Sequence, residues 1–355
     1  MIRATTEVTP EPPPGLEAAV AEQRAWDEVV VAAGGHLLQS WRWGAFKQRH
    51  GWGVERIRGE TAAGVGLAQV LFRRRGPLAV GYLPRGPVLG TDDPALARRL
   101  FGEVDAVCRR RGAIMAIVEP DRPLPFVGRY RDEGFVRGPE HVQPGRTVKV
   151  PLLEDDALLD QMHQKTRYNV RLAQRRGVVA ARSYPDEAAL ETFYRLLDDT
   201  ATRNEFGIHA PAYYADFLHL FGDDAILLFA LIEGEPVAGA VAARCGAEAI
   251  YMYGASSTTQ RAHGSGFLLQ FEAMRWARER GCARYDLWGI PMRDPVKTEV
   301  EAGNRVAGTR GDDWRGLYEF KVRFGGEIVT YPPALERRYR PLLVAAARRL
   351  YRPSG

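Results

Sequence analysis

The chain has 355 residues, of which 45% are hydrophobic and 26% are charged, and its formal net charge is +5. This composition excludes a disordered chain and allows two buried cores. No apolar run is long enough to span a bilayer, no signal-like segment opens the chain, and the three cysteines form neither a disulfide framework nor a zinc-ligand spacing. The composition therefore predicts a cytoplasmic globular protein without a metal site.

The first part of the chain shows strand and helix patterns in a clear order. A lead over residues 1–15, rich in proline, is expected to be flexible. Two apolar strands are then predicted at 65–72 and 78–83, a helix at 94–111 and another strand at 113–118. A hairpin followed by a helix and a further strand is typical of a mixed sheet, and not of a doubly wound parallel one.

The same order of elements recurs in the second part of the chain. Strands are predicted at 226–232, 237–244 and 249–253, a helix at 267–280, and strands at 284–288 and 327–331. Tyr82 and Tyr251 stand 169 positions apart, and so do Gly112 and Gly281. The repeat predicts an α/β fold of two related domains with mixed sheets.

A stretch rich in proline and glycine over 138–145 indicates a linker, with a domain boundary near Val150. We expect the first domain to comprise 16–150 plus 333–355, and the second to comprise 151–332. The final segment, 335–351, has the pattern of a basic amphipathic helix. Such a helix can lie on a membrane surface, but docking onto the first domain is the preferred interpretation.

A glycine loop separates the strand that ends at Tyr253 from the helix that begins near Phe267. Its sequence, Arg261-Ala-His-Gly264-Ser-Gly266, fits the R/Q-x-x-G-x-G/A pattern of GNAT acyltransferases. Glycines allow the backbone to approach an anion closely, and the start of the following helix favours negative charge. The loop predicts an acyl-transfer scaffold that can hold a diphosphate, in the simplest case that of acetyl-CoA.

A basic helix is predicted over 162–177. Arg167, Arg171 and Arg175 recur every four residues and therefore share one helical face. No acidic residue lies between positions 160 and 186, although a solvated surface helix normally mixes both signs of charge. This pattern favours a phosphate-rich partner.

Six motifs spread over nearly the whole chain carry a family resemblance. They are Leu37-Leu-Gln39-Ser40-Trp-Arg-Trp43-Gly44-Ala-Phe-Lys47, Tyr82-Leu-Pro84-Arg85-Gly86-Pro87, Lys165-Thr-Arg167-Tyr168-Asn169, Tyr251-Met-Tyr253-Gly254-Ala-Ser, Tyr285-Asp286-Leu-Trp288-Gly289-Ile-Pro291 and Tyr318-Glu-Phe320-Lys321. With these motifs in this order, the chain resembles the FemABX family of non-ribosomal peptidyltransferases, which add bridge amino acids to peptidoglycan precursors. The resemblance implies two tandem GNAT-like domains. The pattern of a coiled-coil arm, which some relatives carry in the second half, is missing from this sequence.

The resemblance also implies a binding site for the peptidoglycan precursor. Lys47 would contact its diphosphate as a point charge. Relatives place an arginine near position 209, so here Arg203 or His209 would supply the second charge, with Tyr213 nearby. Arg85 and Tyr251 complete the predicted precursor-binding residues. Tyr251 and Tyr253 alternate with Met252, which predicts that both rings face one side of a strand.

The remaining roles concern the donor. Lys321 would stabilise the oxyanion that forms when an amine attacks the aminoacyl ester, with Tyr253 as the second catalytic candidate. Phe320 would pack near the terminal adenosine of the tRNA. The predicted tRNA-binding cations are Lys165, Arg167, Arg171 and Arg175.

The predicted reaction is therefore transfer of an amino acid from aminoacyl-tRNA, as co-substrate, to the stem peptide of UDP-MurNAc-pentapeptide or lipid II. No other cofactor and no metal are expected, and a lipid-linked acceptor would imply peripheral membrane contact. Two alternatives stay open. One is a CoA-dependent N-acyltransferase that uses Gly264 and Gly266; the other is a non-catalytic tRNA- or RNA-binding protein that uses the arginine face.

Overall fold

The structure is a computed structural model that describes residues 16–126, 129–139, 142–257, 264–294 and 314–350. The expected lead over 1–15 and the first residues of the glycine loop, 261–263, lie outside the described residues.

The described residues form helices and strands in the following order along the chain. The helices are α1 (Leu16–Ala32), α2 (Trp41–Arg49), α3 (Pro94–Arg110), α4 (Asp155–Gln161), α5 (Gln164–Arg175), α6 (Glu187–Asn204), α7 (Pro211–Phe221), α8 (Ser265–Glu279), α9 (Trp314–Val322) and α10 (Pro341–Leu350). The strands are β1 (Gly53–Thr61), β2 (Gly64–Arg75), β3 (Leu78–Pro84), β4 (Val88–Leu89), β5 (Ala113–Glu119), β6 (Val136–Arg137), β7 (Arg146–Pro151), β8 (Val179–Ser183), β9 (Ala225–Ile232), β10 (Glu235–Cys245), β11 (Glu248–Ser256), β12 (Arg284–Asp286), β13 (Glu327–Thr330) and β14 (Leu335–Arg338).

The strands form two mixed sheets built on one plan. In the first sheet, β1, β2 and β3 are antiparallel neighbours, and β5 joins β3 in parallel after the crossover helix α3. In the second sheet, β9, β10 and β11 are antiparallel neighbours, and β12 joins β11 in parallel after α8. The predicted α/β fold of two tandem GNAT-like units is confirmed.

Each sheet also includes a strand from outside the repeated unit that forms most of it. β7, which follows the first unit, pairs antiparallel with β12 of the second sheet. β14, which follows the second unit, pairs antiparallel with β5 of the first sheet. The sheets therefore change before Arg146, ahead of the boundary expected near Val150, and the two units exchange strands.

The C-terminal segment is not one continuous helix, as its pattern had suggested. Residues 335–338 form β14, and α10 begins only at Pro341. The edge of β5 explains the difference. Pairing with β14 buries Leu335 and Glu336 and satisfies the backbone N–H and C=O groups of β5, which a surface helix would leave unpaired. Arg338 and Arg348 bind the buried Glu336 carboxylate.

Apolar clusters cover both faces of the second sheet. One face packs against α5 and α8. The other face packs against α6 and α7 and also includes Leu37, Leu38, Trp43 and Phe46 from the first part of the chain. At the edge of this shared core, Arg42 Nη1 donates to Asp224 Oδ2 at 2.5 Å and to the Phe221 carbonyl oxygen at 3.0 Å. The two units are therefore joined by a common core.

In the described part of the chain the longest helix is α6, with 18 residues, and no coiled-coil arm is present. None of the described helices combines the length and the apolar character that crossing a membrane requires.

The strand exchange predicts that truncation at the C-terminus damages the first sheet. A chain ending at Tyr331 loses β14 and exposes the edge of β5, so we expect the free energy of unfolding to fall by at least about 3 kcal/mol. Hydrogen exchange should show the loss of protection in β5 amides and not in β12 amides. A chain ending at Arg340, which keeps β14 and loses only α10, is the control. Equal loss of protection in the two sheets would contradict the pairing described here.

Candidate functional site

The two parallel strands of the second sheet separate early. β11 and β12 pair only from Glu248↔Arg284 to Ile250↔Asp286. Beyond Asp286 the chain turns away, and Trp288 takes a positive φ of 61°. The Asp286 carboxylate holds this turn, because its Oδ1 accepts the Trp288 N–H at 2.6 Å. The separation leaves an opening at the carboxyl ends of two parallel strands, the edge where α/β sheets commonly bind ligands.

A β-bulge lies on β11 beside this opening. Tyr251 stands opposite Ala242 and Tyr253 opposite Val241, so Met252 has no partner in the ladder. The extra residue reverses the alternation of side chains. Tyr251 consequently packs on the α8 side of the sheet and Tyr253 on the α7 side. The prediction that both phenols face one side was wrong because the bulge interrupts the alternation of side chains. The periodicity of the sequence does not reveal the bulge.

Lys321 lies on the α8 side of the opening. It sits on α9, it is 5% exposed, and its Nζ donates to the Gly289 carbonyl oxygen at 2.9 Å. The ammonium is 5.9 Å from the centroid of the Tyr251 ring. Burial lowers the Lys321 pKa to about 8, against the opposing effect of Asp286. A buried ammonium at this position can stabilise negative charge that develops on an oxygen.

Glycines allow close packing on the α8 side of the opening. Gly264 is the N-cap of α8 with a φ of 72°, and a Cβ there would lie 2.6 Å from the Asn169 carbonyl oxygen of α5. A Cβ on Gly254 would lie 1.5 Å from Tyr251 Oη. A Cβ on Gly266, in the first turn of α8, would meet Phe320 at 4.0 Å. The start of α8 is thus bordered by an aromatic side chain.

Phe320 and its neighbours form a small aromatic cluster beside that helix start. The Phe320 ring centroid is 4.9 Å from that of Phe267 and 5.3 Å from that of Phe324. Phe320 is only partly buried, so its remaining surface is available for stacking.

Lys47 lies on the α7 side of the sheet. Its Nζ donates to Tyr213 Oη at 3.2 Å, and the ring centroids of Tyr213 and Tyr253 lie 6.4 Å apart. The His209 ring stacks on Tyr213 with centroids 3.8 Å apart. The structure therefore brings four of the predicted residues together, with Lys47 on the opposite side of the second sheet from Lys321.

The protonation of this group follows from burial. Burial and the Arg73 guanidinium lower the Lys47 pKa to about 8. Burial, Lys47 and His50 lower the pKa of His209. Burial raises the pKa of Tyr213 to about 12 and raises that of Tyr253 well above its ordinary value. At neutral pH the phenols are uncharged and Lys47 is predominantly cationic.

Two predicted arginines lie elsewhere. Arg203 anchors the end of α6 to the end of β11, since its Nη1 and Nη2 donate to Ser256 O at 3.1 Å and Ser256 Oγ at 3.0 Å. Arg85 is 1% exposed, stacks on Tyr331 at 3.5 Å and donates to the Pro144 carbonyl oxygen. Arg85 therefore joins the two units from within.

The basic face of α5 flanks the α8 side of the opening. Thr166, Val170 and Ala173 face the core, and Lys165, Arg171 and Arg175 are exposed. Arg167 differs from the prediction, because it is half-buried and its Nη1 lies 3.4 Å from Asp160 Oδ1. The contact between Gly264 and Asn169 fixes this helix beside the start of α8.

A cluster of potential metal ligands lies between the two units. Atoms of His36, Glu248 and Asp286 come within 4.8 Å of one another. The Lys149 ammonium already lies 2.7 Å from Glu248 and 3.9 Å from Asp286. The protein's own cation thus balances the two carboxylates, and a metal ion would have to displace it.

A surface cavity of about 580 Å³ lies at the far end of the first sheet, beside β6. Its lining includes the exposed Arg129, Arg131 and Arg137 but none of the candidate site residues. Its open, solvated walls carry no convergent buried polar group, so we place the candidate site at the separation of β11 and β12.

Several residues that shape the site were not among the sequence-predicted candidates. An acid at the end of an apolar strand could have marked Asp286, and a glycine after two tyrosines could have marked Gly254. Trp52 and Arg73 lie near Lys47 because of tertiary packing, and no local pattern in the sequence predicts this proximity.

The lowered pKa values predict an observable titration. The chain has five lysines, so ¹³Cε labelling gives a simple NMR spectrum. We expect the signals of Lys47 and Lys321 to titrate near pH 8, below the ordinary value of 10.5. Because the unfolded chain binds more protons between pH 8 and 10.5, these two groups should make stability rise with pH in that window. Lys47→Met and Lys321→Met assign the signals, and titration of both near 10.5 would refute the described burial.

The comparisons with known proteins agree with this geometry. An acetyltransferase (GNAT) domain model matches residues 160–298. A lipid II:glycine glycyltransferase of Staphylococcus aureus is 24% identical, with 81% of this chain and 88% of that protein covered.

Two solved structures show the same fold. The crystal structure of FemX superposes with a TM-score of 0.79 and 22% identity, covering 91% of this chain and 98% of FemX. A tandem GNAT protein from the clavulanic acid biosynthesis pathway gives a TM-score of 0.53 at 13% identity, covering 91% of this chain and 96% of that protein. The resemblance inferred from the six motifs is confirmed: this chain has a tandem GNAT fold and is similar to a lipid II:glycine glycyltransferase and to FemX.

Proposed function

We propose that this chain is an aminoacyltransferase that moves an amino acid from aminoacyl-tRNA to the stem peptide of a peptidoglycan precursor, UDP-MurNAc-pentapeptide or lipid II. One observation carries the proposal. A cationic, aromatic site around Lys47 and a buried ammonium at Lys321 lie on either side of the place where β11 separates from β12. The similarity to a lipid II:glycine glycyltransferase supports the substrate class.

The proposed acceptor side is the α7 side. Lys47 binds the diphosphate of the precursor, and the hydroxyls of Tyr213 and Tyr253 orient the stem peptide. Because the pKa of Tyr253 is raised, its phenol acts as a neutral hydrogen-bonding group and not as a base. The acceptor amine then points into the opening beside β11.

The proposed donor side is the α8 side. The terminal adenosine of the tRNA stacks near Phe320, and Lys165, Arg171 and Arg175 contact its phosphates. This arrangement brings the ester carbonyl towards Lys321 and Tyr251. We place the reaction in the cytoplasm, where charged tRNA is available, with peripheral membrane contact if the acceptor is lipid II.

The chemistry is aminolysis of an ester. The amine nitrogen bonds to the carbonyl carbon, and the Lys321 ammonium stabilises the oxyanion. The intermediate then expels the 3′ oxygen of the tRNA, which takes a proton as the amide forms and the amine loses one. Because the ester is activated, holding the two substrates together supplies much of the rate.

A second candidate is a CoA-dependent N-acyltransferase. The GNAT match over 160–298 and the glycine-capped start of α8 favour it, since both belong to a scaffold that can hold a diphosphate. The alternative predicts transfer from acetyl-CoA without any tRNA.

The transfer assay combines the protein with charged tRNA and UDP-MurNAc-pentapeptide or lipid II and reads the product mass. We expect a gain of one amino-acid residue that depends on the charged tRNA. Lys321→Met should lower the rate by about 100-fold or more, because the oxyanion loses its counter-charge, while precursor binding is retained. Arg74→Gln, on an exposed strand end, is the control. An acetyl gain from acetyl-CoA alone, without transfer from tRNA, would overturn the proposal.

The tRNA contacts can be tested separately by the salt dependence of binding. The double variant Arg171→Gln/Arg175→Gln removes two exposed cations. The magnitude of the negative slope of log K against log salt should therefore fall by about 1.5. Arg129→Gln/Arg131→Gln removes two exposed arginines from the first unit and should leave the slope unchanged. Equal effects of the two double variants would exclude α5 as the specific contact.

A further inference from the structure

Two cations share the ring of Trp52. The Lys47 ammonium lies 5.3 Å from the ring centroid, and the Arg73 guanidinium carbon lies 5.1 Å from it. Both distances are within the range of cation–π contacts. Trp52 is half-buried and Arg73 is exposed at the end of β2, so the guanidinium lies at the solvent side of this group. Arg73 was not among the residues predicted from the sequence.

Aromatic rings and further cations surround the Lys47 ammonium. The rings of Trp43, Phe46 and Tyr213 lie 5.3 to 5.7 Å from it. The titratable neighbours are His50 at the C-cap of α2, His209 before α7, Tyr213 on α7, Tyr253 on β11 and Arg73 on β2.

The nearby carboxylate does not neutralise this group. Asp216 of α7 is engaged by Arg49 at 2.9 Å and by His50 at 3.2 Å. In the described part of the chain, neither Lys47 nor Arg73 forms an ion pair with a carboxylate. An excess of positive charge around partly buried rings favours an anionic ligand.

The positive charges of Lys47 and Arg73 repel each other. Arg73 is the charged group that lowers the Lys47 pKa in addition to burial. Holding two like charges together costs free energy, and a bound anion between them would remove that cost. A diphosphate matches this need, because it offers several oxygens to two separate donors.

We infer that Arg73 is a specificity-determining residue that forms, with Lys47 and across the face of Trp52, a two-cation subsite for the diphosphate of a nucleotide-linked or lipid-linked sugar. The inference rests on the proposed function for the identity of that ligand. Arg73 takes the role that the sequence assigned to Arg203 or His209. The Arg203 guanidinium is engaged at Ser256, and an uncharged His209 would contribute no full charge.

The test measures binding of inorganic pyrophosphate and of UDP-MurNAc-pentapeptide to the full chain by calorimetry. Arg73→Gln should weaken both by about tenfold and should reduce the salt dependence of binding. Arg73→Lys should recover part of the affinity, because it restores the charge without the planar donor fork. Arg74→Gln, the same change at the next residue of β2, should leave both affinities within about twofold of the wild type.

A second readout separates a direct role from a structural one. In the ¹³Cε-lysine spectrum, Arg73→Gln should raise the Lys47 pKa, because the repelling charge is gone, and pyrophosphate should raise it in the wild type. If Arg73→Gln binds pyrophosphate as tightly as Arg74→Gln does, or if pyrophosphate leaves the Lys47 signal unchanged, the subsite is refuted.

The outcomes also separate this inference from the proposed function. Pyrophosphate binding that depends on Arg73, in a protein that transfers no amino acid, would support the subsite and refute the proposed function. Aminoacyl transfer whose KM for the precursor is unaffected by Arg73→Gln would support the proposed function and refute the subsite.

Discussion

Parallel pairing between β11 and β12 stops after three residue pairs, and the candidate site exists because it stops. Beyond that point the backbone needs other hydrogen-bond partners, since unpaired buried amides are costly. Leu287 and Ile290 donate to Val148 and Arg146 of β7, and Trp288 donates to Asp286. The opening is therefore stabilised by β7, which the first part of the chain supplies.

The first unit shows what happens when the same strands stay paired. β3 and β5 remain in register as far as Pro84↔Glu119, and Tyr82 donates its hydroxyl to the buried Glu119. Backbone N–H groups of Val142 and Gln143 donate to the same carboxylate. The position that is open beside Tyr251 in the second unit is thus filled in the first. The two units share a fold, but only the second unit has the opening between its parallel strands.

The bulge at Met252 places Tyr251 and Tyr253 on opposite faces of the second sheet. Tyr251 faces Lys321 and α8, whereas Tyr253 faces Tyr213 and the Lys47 site. Under the proposed function, the two large substrates would approach from opposite sides of the sheet and meet where it is interrupted. A single groove would have to accommodate both on one surface.

The sequence was informative where local patterns decide structure. The predicted helix at 94–111 and strand at 78–83 match α3 and β3 closely, because caps and apolar periodicity act locally. The predicted strand at 284–288 ends early because the Asp286 carboxylate stabilises a turn. The bulge at Met252 and the contact of Arg73 with Trp52 depend on partners distant in sequence, so periodicity could not reveal them. Motif resemblance located Lys47 and Lys321, but not the two sides of the sheet on which they lie.

The exchange of strands also has a consequence for synthesis on the ribosome. β5 ends at Glu119, but its outer neighbour begins only at Leu335. At about 5–20 residues per second, the interval between them takes roughly 10–40 s, during which the nascent first sheet has an unpaired edge. The first sheet can therefore be completed only after β14 has been synthesised, and until then the edge of β5 is open to association with other strands.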